Sequence, residues 1–126
     1  MNYYNQIKEE LINNEVYKKV KDYSKNRSDL NTYYNVGKII VEAQGGEERA
    51  KYGDRIIKVY SEKLTKEIGK GYTISAMKRM RQFYSIIEKG ATVSHQLTWS
   101  HYIELLKLED INEINYYINI SINLNS

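Results

Sequence analysis

Cysteine and proline are both missing from this chain of 126 residues. Without cysteine there is neither a disulfide framework nor a thiolate metal site. Without proline no pyrrolidine ring interrupts a helix, which favours an α-rich fold. No apolar run reaches the roughly 18 residues that a membrane-spanning helix needs, and the N-terminus lacks the pattern of a signal peptide. We therefore expect one cytoplasmic domain over residues 1–126.

Catalytic residues in a recognisable arrangement are missing as well. The two histidines, His95 and His101, are six residues apart and no cysteine accompanies them, so a zinc site is not predicted. Their serine neighbours, Ser94 and Ser100, have no third group to orient a triad. Scattered carboxylates form no pattern typical of a metal-dependent nuclease. We expect no enzyme activity, no metal and no cofactor.

Positive charge is concentrated in the middle of the chain. Residues 49–89 contain 11 Lys and Arg against 4 Asp and Glu, a net charge of +7. Residues 1–48 have a net charge of −1 and residues 90–126 a net charge of −3. A surface that binds phosphates requires such a concentration of positive charge. Ordinary solvation of exposed helix faces is the alternative explanation.

The N-terminal half has apolar residues at helical spacing. Tyr4, Ile7 and Leu11 predict a first helix over residues 3–13, and Asn13-Asn14 before Glu15 predicts a break and a new N-cap. Beyond it, a nearly heptad pattern continues through residue 43. This pattern allows either one long helix or two helices that are broken near residues 26–29.

The heptad pattern has two interpretations. A homodimer through residues 15–43 would use it as a seam between two chains, whereas packing inside the domain would use it as core. Gly37 lies in the middle of the pattern, where glycine costs a helix about 1 kcal/mol relative to alanine. A close approach between two helices would explain this glycine.

The connections between the remaining helices have recognisable boundary signals. Gly45 and Gly46 suit a helix C-terminus, and Asp54 can cap a helix that ends near Ile68. Residues 88–97 are predicted as a loop. Thr98 or Ser100 begins another helix, and a last helix follows residue 110. The period-2 pattern of residues 119–126 leaves a frayed helix end and a strand as alternatives.

A glycine turn followed by a basic amphipathic helix lies in the middle of the chain. Gly69 and Gly71 interrupt the helical pattern, and Thr73 or Ser75 can cap the next helix. At 100° per residue, most apolar side chains of that helix share one face and the polar and cationic ones share another. This pattern is typical of a helix-turn-helix with a recognition helix, at about residues 54–88. A solvated amphipathic helix is the alternative.

The polar face contains the candidate DNA-binding residues. Its hydroxyl, amide, ammonium and guanidinium groups are those that bind phosphates and base edges. Arg79 and Gln82 are the base-reading candidates because their planar groups can bind two base atoms at once. The other candidates are Ser75, Lys78 and Arg81 on the same helix, with Lys70, Arg55 and Lys58 as backbone contacts.

Six short segments occur in an order that is specific to one family. They are Tyr34-x-x-Gly37-Lys-Ile-Ile, Tyr52-Gly-Asp-Arg-Ile-Ile, Leu64-Thr-x-x-x-Gly69-x-Gly71-Tyr-Thr, Met77-x-x-Met80-Arg-Gln-Phe-Tyr84, Gln96-Leu-Thr-Trp-Ser-His-Tyr102 and Leu105-Leu-Lys-Leu108. In this order they resemble the N-terminal domain of YhcG-type proteins over roughly residues 15–118. Those proteins join this domain to a C-terminal PD-(D/E)XK nuclease domain.

The resemblance implies a helix-turn-helix or winged-helix-like module that binds double-stranded DNA without cutting it. The expected fold is all-α, with five or six helices and one long N-terminal helix or a helix pair; residues 89–97 are too short for a full wing. The alternative function is a stand-alone protein-interaction or inhibitor module from a mobile element. Its basic face would then bind an acidic surface on a nuclease or another nucleoprotein.

Overall fold

The computed structural model describes residues 2–20, 25–46 and 53–124. These ranges contain six α-helices and no strand. The helices are α1 (Tyr3–Val20), α2 (Lys25–Ala43), α3 (Asp54–Glu67), α4 (Ile74–Glu88), α5 (Trp99–Leu105) and α6 (Ile111–Leu124). The predicted all-α fold with five or six helices is confirmed.

Helix α2 lies at the centre of the fold and packs against both α1 and α4. Leu30, Gly37 and Val41, which belong to the heptad pattern, are buried within the chain. Val16, at the start of the same pattern, is 55% exposed. The α2 part of the pattern is therefore core, which is the second of its two interpretations, and a homodimer through residues 15–43 stays a prediction.

Gly37 marks the closest approach between α2 and α4. A Cβ atom built at this position would lie 2.8 Å from the carbonyl carbon of Met80 and 2.8 Å from Cβ of Tyr84, and closer still to the Met80 oxygen. Side chains that carry a Cβ cannot approach a backbone this closely. The predicted helix–helix approach is therefore confirmed, and α4 is the partner.

The predicted break at Asn13-Asn14 is wrong, because α1 continues without interruption from Tyr3 to Val20. Asn14 is buried, and its Nδ2 donates a hydrogen bond of 2.9 Å to Oδ1 of Asp29 on α2. Lys18 also forms an ion pair of 3.0 Å with Asp29. A partner on another helix satisfies the asparagine amide, which removes its reason to end the helix.

The second predicted break does not fall at residues 26–29, because these residues lie inside α2, which begins at residue 25. Helices α1 and α2 pack against each other, so the helix pair is confirmed and the predicted position of the break is wrong. Residues 21–24 lie outside the described part of the chain.

Two groups of buried side chains form the core. The first joins α1, α2, α3 and the start of α4, and the second joins α2 and the end of α4 to α5 and α6. Trp99 packs against both groups. Its ring lies 4.7 Å from that of Tyr33 and 5.1 Å, edge to face, from that of Phe83. The tryptophan is partly buried, and its ring contacts join the two groups.

The C-terminal helices begin where their capping residues predict. Thr98 caps α5, and His101 completes a capping box, since its Nδ1 accepts a hydrogen bond of 3.1 Å from the Thr98 amide. Asp110 caps α6 by accepting from the Asn112 amide at 2.8 Å. Helix α6 then continues to Leu124, so the strand alternative for the tail is wrong over residues 119–124.

Several tyrosines link the helices through carboxylates, and this predicts a loss of stability in alkali. Burial and the Glu67 carboxylate raise the pKa of Tyr4 from 10.0 to about 12. A hydrogen bond to Glu88 has the same effect on the pKa of Tyr34. A pKa that folding raises gives stability below the unfolded-state pKa, and this stability is lost as pH increases through the folded-state pKa. We expect the free energy of unfolding to fall between pH 10 and about 12.

Denaturant unfolding followed by helical circular dichroism, combined with phenolate absorbance, measures this effect. The chain has 13 tyrosines, so the phenolate absorbance is recorded at each pH beside the helical signal. If all phenolate absorbance appeared near the ordinary tyrosine pKa while the helical signal stayed constant, the proposed tyrosine–carboxylate links would be contradicted.

Candidate nucleic-acid interface

The turn between α3 and α4 is tightly anchored to the rest of the fold. Gly69 and Gly71 have φ angles of 140° and 105°, which favour glycine. Tyr72 points inward and its hydroxyl donates to Glu15 on α1. Ser61 on α3 donates a hydrogen bond of 2.6 Å to the Tyr72 carbonyl. The predicted glycine turn is present, and these contacts set the direction in which α4 leaves it.

Helix α4 begins at a capped N-terminus. Thr73 is the N-cap, and its Oγ1 accepts a hydrogen bond of 3.1 Å from the Ala76 amide. Met77, Met80 and Phe83 are buried against the core, as the predicted apolar face requires. Ile86 is also buried, although its angle places it within the polar arc, because the C-terminal helices cover this end of α4.

Lys78 and Arg81 form ion pairs with the same aspartate. Asp54 accepts from Lys78 Nζ at 3.1 Å and from Arg81 Nη1 at 3.2 Å. These two partners hold the pKa of the Asp54 carboxyl below its ordinary value. Gly53, rather than Asp54, occupies the N-cap position of α3, so the predicted capping role of Asp54 is wrong. Its carboxylate instead joins α3 to α4.

The two basic side chains differ in how much solvent they reach. Lys78 has 43% of its side chain exposed, whereas Arg81 has 17%. Arg81 also donates a hydrogen bond of 3.2 Å to Oε1 of Gln44 at the end of α2. Arg81 therefore links α4 to Gln44 and to Asp54 on α3. The Asp54 carboxylate partly neutralises the charges of both Lys78 and Arg81.

Gln82 is tied to the C-terminal part of the fold. Its Nε2 donates a hydrogen bond of 2.8 Å to the carbonyl oxygen of Leu106, which follows α5. The side chain is nevertheless exposed at the surface. The amide that would donate to a base edge thus already has an acceptor within the chain.

The remaining predicted residues are exposed cations and a hydroxyl with no hydrogen bond or ion pair to any described residue. On α4 these are Ser75 and Arg79, one helical turn apart. Lys70 lies in the turn, and Arg55 and Lys58 lie in the first two turns of α3. Of the eight predicted residues, five have side chains that form no hydrogen bond or ion pair with a described residue. The other three contact neighbouring elements of the fold.

Sequence reasoning missed Lys66 as a member of this surface. Lys66 is exposed on α3, and at 100° per residue it lies only 20° from Arg55 around the helix axis. The buried residues Ile57, Ser61 and Leu64 occupy the opposite side. The rotation of 100° per residue along α3 is the sequence signal that places Lys66 beside Arg55.

Two acidic side chains of the basic segment, Glu67 and Glu88, contact other parts of the fold. Glu67 accepts from Lys8 Nζ and from the Tyr4 hydroxyl, both at 2.9 Å and both on α1. These contacts hold the pKa of Glu67 below its ordinary value. Glu88 accepts from the Tyr34 hydroxyl. Of the four acidic residues in residues 49–89, only Asp54 contacts the predicted DNA-binding cations.

Among residues 2–20, 25–46 and 53–124, no group of three or more His, Asp or Glu side chains is placed to hold a metal ion. None of the described helices combines the length and the apolar character needed to cross a bilayer.

Comparison with known proteins identifies one family. Residues 6–125 match the DUF1016 N-terminal domain. A 71-residue stretch is 39% identical to a protein of Escherichia coli (strain K12) named "Putative nuclease YhcG". This alignment covers 53% of the chain and 19% of that relative, so the chain spans less than a fifth of the relative it matches. No solved structure matches the chain.

Proposed function

This chain belongs to the DUF1016 N-terminal domain family, and on that premise we propose that it is a non-catalytic module that binds double-stranded DNA through α3, the glycine turn and α4. The relative it matches is named as a nuclease, and a nuclease has to hold nucleic acid. A pair of helices joined by a short turn, the second with an exposed polar face, suits the major groove.

One observation carries the proposal: four of the predicted DNA-binding cations are exposed and have no partner among the described residues. They are Arg55, Lys58, Lys70 and Arg79. Lysine and arginine side chains that are free to bind phosphates displace counterions from DNA, and this release supplies most of the non-specific affinity. Glu67 and Glu88 contact α1 and α2 instead of these cations, and residues 49–89 keep a net charge of +7.

The first two turns of α4 are the part that we assign to the DNA. Their N-terminus has no acidic residue, and the positive end of a helix dipole favours a phosphate group. Lys70 precedes this end, and Ser75 and Arg79 lie on the same exposed side. Arg79 is the base-reading residue in this proposal, because a free guanidinium can bind two acceptors of a guanine. Gln82 positions α4 through Leu106.

Competition between two polyanions tests whether the basic face prefers DNA to acidic protein. Fluorescence anisotropy of a labelled duplex is measured with the full chain, and unlabelled duplex or polyglutamate with the same number of charges is added. We expect polyglutamate to need at least about tenfold more charge to displace the labelled duplex, because base contacts and duplex shape add to the charge term. Equal or better displacement by polyglutamate would contradict DNA as the ligand.

Replacing Asp54 by asparagine is expected to raise the affinity for duplex DNA about fivefold. The change removes a negative charge that binds Lys78 and Arg81, and a charge of this kind near a phosphate is worth about 1 kcal/mol in water. The same anisotropy titration measures the dissociation constant. Asparagine retains an oxygen acceptor, so the helices keep one hydrogen bond between them.

Asp110→Asn is the matched control for this variant. It makes the same chemical change at the N-terminus of α6, and asparagine caps a helix as well as aspartate does. We expect it to change the affinity by less than about twofold. If both variants raised the affinity equally, a general effect of net charge would replace the local role of Asp54.

A further inference from the structure

An apolar groove lies between α5 and α6. Its volume is about 540 Å³. Leu97, Leu105 and Leu108 line one side, and Tyr117 and Leu124 on α6 line the other. Tyr117 is 46% exposed and Leu124 is 79% exposed. Apolar side chains this exposed, and adjacent to one another, are typical of an interaction site.

The exposed face of α6 has the spacing of a helix–helix seam. Tyr117, Ile120 and Leu124 are separated by three and four residues, and each is at least 36% exposed. This is the a/d spacing that packs against a second helix. Glu113 is the one Asp, Glu, Lys, Arg or His among the 14 residues of α6. Charge depletion together with exposed aromatic residues is the composition found at the centre of protein interfaces.

The surroundings of the groove are acidic. Glu104 lines it, and Glu113 lies one helical turn before Tyr117. Glu109 and Asp110 follow directly after Leu108 and are exposed. The only cation in residues 90–126 is Lys107, which forms an ion pair of 2.8 Å with Glu104. The rim therefore repels nucleic acid, and in a symmetric dimer it would bring like charges together.

From the apolar floor and the acidic rim, we propose that this groove binds an amphipathic α-helix of a partner protein with basic residues flanking its apolar stripe. The apolar stripe packs between Leu105 and Tyr117, and lysine or arginine side chains on its flanks face Glu104 and Glu113. This is the helix-in-groove mode of recognition. The proposal goes beyond DNA binding, since it gives the domain a second surface of opposite charge.

A designed helical peptide tests the proposal. The probe has about 18 residues, with leucine at positions i, i+3, i+4 and i+7 and lysine on both flanks. We expect it to bind the full chain in an anisotropy titration. Tyr117→Ala is expected to weaken binding about tenfold or more, because tyrosine at the centre of an interface is a typical hot spot. Tyr116→Ala is the matched control: Tyr116 is 60% exposed on the same helix but does not line the groove.

A second peptide with glutamate on both flanks distinguishes charge complementarity from non-specific apolar binding. It is expected to bind at least about tenfold more weakly than the lysine peptide, and Glu104→Gln together with Glu113→Gln should reduce that difference. Circular dichroism confirms that each variant is folded. Equal binding of the two peptides, or equal effects of the Tyr117 and Tyr116 variants, would overturn the proposal.

Self-association is the competing occupant. Sedimentation velocity of the chain alone, before and after Tyr117→Ala, measures it. A monomer that binds the lysine peptide supports the proposal. A dimer that Tyr117→Ala dissociates, combined with no peptide binding, would show that a second copy covers the groove instead.

Discussion

Replacing Gly37 by alanine is expected to destabilise the protein by about 3 kcal/mol or more. The added Cβ would lie 2.8 Å from both the Met80 carbonyl carbon and Cβ of Tyr84, so α2 and α4 would have to separate. Overpacking a core typically costs 1–3 kcal/mol, and here the obstacle includes backbone that cannot rotate away. Since 1 kcal/mol shifts the melting temperature of a domain this size by about 4 °C, we expect a decrease of about 10 °C or more.

Gly53→Ala provides the matched control for the alanine substitution. At Gly53 the nearest atoms to a new Cβ belong to the flexible Gln44 side chain, at 3.3 and 3.4 Å, and the φ angle of −98° suits any residue. We expect a loss of no more than about 1 kcal/mol there, the usual cost of alanine at an N-cap. Thermal unfolding by circular dichroism compares the two. Equal melting temperatures would mean that the α2–α4 contact is looser than the structure shows.

Removing Arg79 and Lys70 together is expected to weaken duplex binding by about 10- to 100-fold. Arg79→Ala removes a base-reading guanidinium, which is worth about 1–3 kcal/mol. Lys70→Ala removes one phosphate contact, which weakens binding on all sequences and reduces the salt slope by about 1. Both side chains are exposed without a partner among the described residues, so the folded state should lose little stability. Anisotropy titrations on duplexes that differ at single base pairs measure both effects.

Lys107→Ala together with Lys19→Ala serves as the control, since it removes the same total charge from exposed positions outside the basic segment. We expect its affinity for the duplex to stay within about twofold of the parent chain. A loss equal to that of the Arg79 and Lys70 variant would indicate a diffuse charge effect. In that case the exposed face of α4 would not be the reading surface.

Local signals in the sequence predicted the glycine turn and the caps at Thr73 and Thr98 correctly. Gly69, Gly71 and Thr73 act within a few residues of their own positions, because backbone angles and N-cap hydrogen bonds are local properties. The same holds for Thr98 at the start of α5. The family resemblance is also confirmed. It was predicted from the order of six short sequence segments, and physical reasoning about the residues played no part in it.

Contacts between distant residues account for the wrong predictions. Asn14 has its partner, Asp29, 15 residues away, so the sequence around Asn14 looks like a helix end although the helix continues. Asp54 looks like an N-cap for the same reason, whereas it contacts Lys78 and Arg81. Periodicity assigns side chains to faces, but it does not tell which faces a later helix covers. Ile86 and Gln82 therefore looked like members of a free polar arc, and the α5–α6 groove could not be predicted.

The salt dependence of duplex binding by the full chain tests the central claim most directly. The association constant is measured by anisotropy from about 50 to 200 mM salt. Four cations assigned to phosphates, Arg55, Lys58, Lys66 and Lys70, predict a slope of about −3.6 on a log–log plot, or a loss of roughly 150-fold over this range. A linear decrease with a slope of about −3 to −5 would support a DNA-binding module. Absence of binding at the lowest salt concentration, or an affinity that does not change with salt, would contradict it.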